Sequence, residues 1–87
     1  MKMIIVILKD HLTDALTAAL TGAHYRVTRI ASTGGFLRSG TTTMLIGVED
    51  PQVDSAVSLI RSAASRAPGE GPQVTLFVVP VTRFEQV

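Results

Sequence analysis

The chain has 87 residues and a mass of 9.3 kDa, a length that fits a single domain over residues 1–87 and excludes a two-domain enzyme. With 46% hydrophobic and 17% charged residues, it is too apolar for a disordered chain. The absence of cysteine excludes disulfide scaffolds, thiolate metal sites and cysteine nucleophiles. So short a chain buries little core for each residue it orders, so we expect a marginally stable monomer that gains stability by self-association.

The charges are unevenly distributed although the net charge is only +1. Residues 1–43 carry five basic and two acidic side chains, whereas residues 44–87 carry three basic and five acidic ones. Three of the basic residues, Arg26, Arg29 and Arg38, lie close together, which favours a local anion site over a surface for a nucleic-acid polymer. No apolar run approaches the roughly 20 residues that span a bilayer, so we expect a cytoplasmic protein with no membrane partner.

Hydrophobic periodicity predicts three elements in the first third of the chain. The apolar, β-branched run Met3–Leu8 is typical of a strand buried on both faces. The stripe of apolar residues over Leu12–Leu20 predicts a helix, with Asp10 as its N-cap and Gly22 as a left-handed residue at its end. The segment Tyr25–Ile30 predicts a second strand.

The rest of the chain predicts the same kinds of element in the same order, strand, helix and strand. Asp50-Pro51 is typical of a helix start, because a capping carboxylate precedes a proline. The order β-α-β-β-α-β predicts an α+β, ferredoxin-like fold with a four-stranded antiparallel sheet and both helices on one face. The elements predicted after Ile30 are a loop over Thr33–Gly40, a strand over Thr41–Val48, a helix with an apolar face from Val53 to Ala64, a loop over 65–73 and a strand over Val74–Val79 that ends at Pro80.

The segment from Arg26 to Thr43 carries the residues best suited to a ligand. Strand alternation places Arg26 and Thr28 on one face, where a guanidinium and a hydroxyl can serve a phosphate and a base edge. Gly34-Gly35 allows close backbone approach, and Phe36 offers a ring for stacking. A solvated glycine hairpin explains the same residue types about equally well. The Walker phosphate-binding pattern is excluded because Thr-Thr follows Gly40 where Lys-Ser/Thr is required.

No catalytic or metal-binding constellation is evident in the sequence. The two histidines, His11 and His24, have no partner at metal-ligand spacing, so we predict no catalytic residue and no metal site. RNA-recognition modules share the predicted element order, but they need exposed aromatic residues on the central strands. The strand Thr41–Val48 contains none.

The string TGGFLRSG at 33–40, preceded by YRVT at 25–28, resembles the cyclic di-AMP receptor family of PII-like signalling proteins. The MKMII start and the FVVPV segment at 77–81, with Phe84 and Gln86 after it, look like that family too. The resemblance implies a ferredoxin-like protomer in a homotrimer, with nucleotide sites in the clefts between subunits. It further implies ligand sensing without catalysis, no cofactor besides the nucleotide, and a protein target that the sequence does not identify.

The resemblance also implies roles for individual residues. Arg26 would approach a phosphate, Thr28 would bond an adenine edge, and Gly47 would leave room for the ligand. Gly35, Phe36 and Leu37 would line the base pocket, while Phe77 and Gln86 would contribute from the fourth strand and the tail. The ligand-binding set is therefore Arg26, Thr28, Gly35, Phe36, Leu37, Thr41, Gly47, Phe77 and Gln86.

Two features depart from the family pattern. Thr41 stands where the family commonly has asparagine, and a hydroxyl replaces only part of an amide's hydrogen bonding to a base edge. The connection over 65–73 spans nine residues where the family usually has a long excursion, which makes this chain a short-loop variant. Three alternatives therefore stay open: a related adenine nucleotide as ligand, a trimeric interaction module that has lost its ligand, and an acylphosphatase-like hydrolase on the same fold.

Overall fold

A computed structural model describes residues 1–31, 40–66, 69 and 71–87. It confirms the predicted element order and the ferredoxin-like α+β fold, and the strand Thr41–Val48 has the predicted bounds. The predicted loop 33–40 lies outside the described residues except for Gly40, as do positions 67, 68 and 70 of the second loop. The elements are β1 (Lys2–Lys9), α1 (Thr13–Gly22), β2 (Arg26–Ala31), β3 (Thr41–Val48), α2 (Val53–Ser65) and β4 (Val74–Pro80), and a short 3-10 turn precedes each helix (Asp10–Leu12 and Asp50–Gln52).

The four strands form one antiparallel sheet in the order β2-β3-β1-β4. Because β1 pairs with β3 on one side and β4 on the other, the first strand of the chain lies inside the sheet. Both helices pack on the same face, where they cover the even-numbered residues of β1 and β3. The buried core consists of Ile4, Val6, Leu8, Leu12, Leu16, Leu20, Met44, Ile46, Val48, Ala56, Ile60 and Ala63.

The opposite face of the sheet, called the open face below, carries no helix in the described part of the chain. Met3, Ile5 and Ile7 lie on it and are only half-buried, so the prediction of a strand buried on both faces is wrong for the protomer. The cross-strand row Thr28, Leu45, Ile5, Phe77 runs across this face from β2 to β4. The central strand is therefore apolar on both faces, although only one of them is covered.

The residues that start the two helices differ from those predicted. Asp10 caps no helix, because its carboxylate instead accepts a hydrogen bond from the Thr42 hydroxyl of β3. Glu49 is the N-cap of the 3-10 turn before α2, and its backbone N–H donates to the side chain of Gln52 at 2.9 Å in a capping box. Asp50 lies 3.3 Å from the amino terminus of Met1 and forms an ion pair with it. In each case a tertiary contact occupies the carboxylate that the local sequence assigns to a cap.

The end of α1 is also shifted from the prediction. Gly22 is the last helical residue, and the left-handed residue is His24, with φ of +70°. The N–H groups of Ala23 and Tyr25 both donate to the carbonyl of Leu20, at 3.1 and 3.0 Å, which closes the helix and directs the chain into β2. His24 therefore holds the strained backbone conformation that glycine would adopt more easily.

The position of the left-handed residue predicts that two opposite substitutions, one to glycine and one from glycine, both stabilise the protein. His24→Gly should raise the free energy of unfolding by up to about 1 kcal/mol, because it removes the cost of a left-handed non-glycine residue. Gly22→Ala should raise it by about 0.5 kcal/mol, because alanine is favoured over glycine in a helix and nothing lies within 4 Å of the added Cβ. Urea unfolding at one fixed protein concentration measures both. A loss of stability in Gly22→Ala would show that Gly22, not His24, is the left-handed residue.

Candidate functional site

A cavity of about 960 Å³ lies between β2, the Gly47 end of β3 and the tail that follows β4. It is more than twice as large as the cavity of about 430 Å³ on the outer side of α2. Thirteen residues line it: Met1, Met3, Thr21, Tyr25, Arg26, Val27, Thr28, Leu45, Gly47, Val81, Arg83, Phe84 and Gln86.

Strand register brings the first part of this lining together. Arg26 lies opposite Gly47, which in turn lies opposite Met3, so the three form one row across the open face. Thr28 and Leu45 form the next row. Because side chains alternate along a strand, Arg26 and Thr28 share this face and the glycine beside Arg26 leaves space above the sheet.

The tail supplies the opposite wall of the cavity. The backbone N–H of Val81 donates to the carbonyl of Met1 at 3.1 Å, which continues the pairing of β1 with β4 one residue beyond Pro80. This bond holds the tail beside the start of β1, where Phe84 and Gln86 reach the cavity. The Phe84 ring is 64% exposed, so one aromatic surface in the cavity is accessible to a ligand.

The two arginines of β2 have different electrostatic surroundings. Arg29 faces the helix side, where its guanidinium lies 2.8 Å from the carboxylate of Asp14 on α1. Arg26 faces the cavity and forms no ion pair among the residues that the structure describes. Arg29 therefore links β2 to α1, whereas the charge of Arg26 is available for a ligand.

The lining of the cavity is chemically suited to an anion that carries an aromatic ring. Among the described residues that line it are two arginines, Arg26 and Arg83, and no aspartate or glutamate. The hydroxyl of Thr28 and the amide of Gln86 can bond the polar edge of a ring that stacks on Phe84. Within the described ranges no group of three or more histidines and carboxylates could hold a metal ion.

The structure brings together four of the nine residues predicted for the site: Arg26, Thr28, Gly47 and Gln86. Thr41 lies opposite Lys9 at the other end of β3, about 20 Å from Gly47 along the strand. Phe77 lies on the open face but on β4, opposite Ile5, and does not line the cavity of its own chain. The other three predicted residues, at 35–37, are outside the described part of the chain.

Several lining residues were not predicted, chief among them Arg83 and the N-terminal Met1 and Met3. Strand alternation does contain a signal for Met3, because it lies on the same face of the sheet as Leu45 and Gly47. Arg83 belongs to a tail without helix or strand, so no periodicity indicates where its side chain lies. It becomes visible as a site residue only when the Val81–Met1 hydrogen bond places the tail.

Within the described residues, no helix is both long enough and apolar enough to cross a membrane.

Two comparisons relate this fold to known proteins. A crystal structure described as a functionally unknown protein from Pediococcus pentosaceus ATCC 25745 matches with a TM-score of 0.79 and 29% sequence identity, over 99% of this chain and 96% of that chain. A family model described as "Cyclic-di-AMP receptor" matches residues 1–68, which include β1 to α2 and exclude β4 and the tail. Since the match spans 68 of the 87 residues, the chain belongs to the cyclic-di-AMP receptor family, as the sequence resemblance predicted.

Proposed function

We propose that this protein is a PII-like signalling protein that binds cyclic di-AMP, or a related adenine nucleotide, without catalysing a reaction. It acts in the cytoplasm as a homotrimer of single-domain protomers with one nucleotide site at each subunit boundary. The observation that carries the proposal is the cavity in which Arg26, without an ionic partner among the described residues, lies close to Thr28, Gly47 and Gln86. Membership of the receptor family supports the choice of ligand.

Each lining residue has a role that follows from its chemistry. The Arg26 guanidinium binds a phosphate, because a charge-assisted pair of N–H donors matches phosphate oxygens. Thr28 and Gln86 bond the adenine edge, and the exposed ring of Phe84 stacks on the base. Gly47 leaves space for the sugar–phosphate ring, because it has no side chain on the open face.

The apolar open face supports self-association. Ile5 and Leu45 lie at its centre, and Phe77 and Ile30 are 52% and 46% exposed towards its two edges. A continuous apolar surface of this kind marks an interaction site in a soluble protein. Packing three open faces together covers this surface and places β4 of one subunit near a neighbour, so Phe77 completes the cleft of an adjacent protomer. Thr41, at the far end of β3 on the same face, does the same. Gly35, Phe36 and Leu37 keep the base-pocket role that the resemblance implies.

Calorimetric titration tests ligand binding and the part played by Arg26. Cyclic di-AMP should bind at one ligand per protomer, with cyclic di-GMP and ATP much weaker. Arg26→Ala should weaken binding by about 10- to 100-fold, the effect of losing a hydrogen bond to a charged group. Arg29→Ala is the matched control, because it removes the same charge from the other face of β2 and should leave the affinity unchanged. Absence of binding to all three nucleotides would instead favour an interaction module that has lost its ligand.

The variant Gly47→Ala tests whether Gly47 leaves space for the ligand, because it should lower affinity without lowering stability. A Cβ at this position would meet only the end of the Met1 side chain, at 3.5 Å, so the folded protein can accept it. Thermal unfolding without ligand should show unchanged or slightly higher stability, because alanine restricts the unfolded chain. Cyclic di-AMP affinity should fall by about tenfold or more, because the methyl group occupies ligand space and overpacking costs about 1–3 kcal/mol. Gly22→Ala adds the same methyl group outside the cavity, and equal affinities in the two variants would show that Gly47 is not at the site.

Ile5→Lys tests whether the open face is the subunit interface. Sedimentation equilibrium should give a trimer for the unmodified protein and a monomer for this variant, because three buried lysines cannot be accommodated at the centre of an assembly. The protomer should keep its circular dichroism spectrum, since Ile5 is only half-buried in the isolated chain. Ser58→Lys places the same charge on an exposed position of α2 and should remain trimeric. A trimer that survives Ile5→Lys would show that a different surface mediates assembly.

A further inference from the structure

Arg83 is a cavity residue that neither the sequence pattern nor the family match assigns to a function. It lies in the tail after β4, beyond the residues that the family model matches. Its side chain is 77% exposed, yet it lines the same cavity as Arg26.

The position of Arg83 is set by contacts on both sides of it. The Val81–Met1 hydrogen bond fixes the tail two residues earlier, and Phe84 and Gln86 line the cavity after it. The Arg83 side chain therefore lies at the cavity wall while its guanidinium remains open to solvent. Arg83 can therefore bind a ligand without losing contacts in the hydrophobic core.

Among the residues that the structure describes, the ion-pair partner of Arg83 is an exposed carboxylate that a ligand can replace. The Nε of Arg83 donates to Glu85 Oε2 at 2.9 Å, and both side chains are more than half exposed. Exposed ion pairs of this kind contribute little to stability, so the carboxylate can be replaced at small cost. A phosphate is a suitable replacement, because it presents the same kind of oxygen pair to a guanidinium.

We propose that Arg83 is the second phosphate ligand of the site, so that Arg26 and Arg83 each bind one of the two phosphates of a cyclic dinucleotide. Glu85 holds Arg83 in the unliganded protein and is displaced when the ligand binds. This inference rests on the proposed function, because it assigns a residue to the same cavity. It makes Arg83 a specificity-determining residue that favours a ligand with two separated phosphates over a nucleotide with one.

Titration of charge-matched variants with cyclic di-AMP tests the contact. Arg83→Gln should weaken binding by about tenfold, the loss expected for a charged hydrogen bond. Arg66→Gln is the control, because Arg66 is exposed and does not line the cavity that contains Arg26. This variant should bind cyclic di-AMP like the unmodified protein. Equal affinities for Arg83→Gln and Arg66→Gln, with the unmodified protein binding well, would overturn this inference alone. Binding of ATP but not cyclic di-AMP by the unmodified protein would also overturn this inference alone. Failure to bind cyclic di-AMP, cyclic di-GMP and ATP would overturn the proposed function and, with it, this inference.

A double-mutant cycle tests the displacement of Glu85. Glu85→Gln should tighten cyclic di-AMP binding a few-fold, because Arg83 no longer has to leave its partner. The same change made together with Arg83→Gln should have no effect, since the pair is then already absent. If Glu85→Gln changes the affinity equally in the presence and in the absence of Arg83, the proposed displacement of Glu85 by the ligand is wrong. Circular dichroism checks that each variant is folded, as expected for two exposed side chains.

Discussion

In the described part of the chain, two helices cover one face of the four-stranded sheet and leave the other face open, and both the strand register and the position of the cavity follow from this. The central strand β1 is apolar at every position from Met3 to Leu8, so alternation buries half of these side chains and leaves the other half at the open face. Burial of Ile4, Val6 and Leu8 against α1 and α2 fixes the register. A shift of one residue would exchange the two sets, and each would then face the wrong neighbours on β3 and β4.

The same alternation gives the two arginines of β2 their separate roles. Arg29 points to the helix side and meets Asp14, whereas Arg26, an odd number of positions away, points to the opposite side. A charge on the helix side has a carboxylate within reach on α1. A charge on the open side meets Gly47 and the tail, where none of the described cavity residues is a carboxylate. The candidate site thus lies on the open face of the sheet.

Sequence patterns predicted the element order because core burial imposes periods of two and 3.6 residues on strands and helices. They failed at Asp10, Gly22 and Asp50, where a residue suited to a cap makes a different contact or adopts an ordinary helical conformation. Capping preferences are worth about 1 kcal/mol, so a tertiary partner such as Thr42 readily overrides them. In the site, strand alternation predicted a shared face for Arg26 and Thr28, and the family resemblance implied Gly47 and Gln86. Neither indicated Arg83, because the irregular tail has no period and the resemblance gives this position no role.

The cavity and the open face share residues, which has a thermodynamic consequence for the proposed sensor. Met3 and Leu45 line the cavity and also belong to the apolar surface proposed to pack in the trimer. A subunit placed on that surface would therefore form part of the wall around a bound nucleotide. Ligand contacts that exist only in the assembly stabilise the assembly by the same free energy by which assembly strengthens binding. The connection over 65–73 is only nine residues long, and this linkage would give the proposed sensor a way to report its ligand state without a long loop.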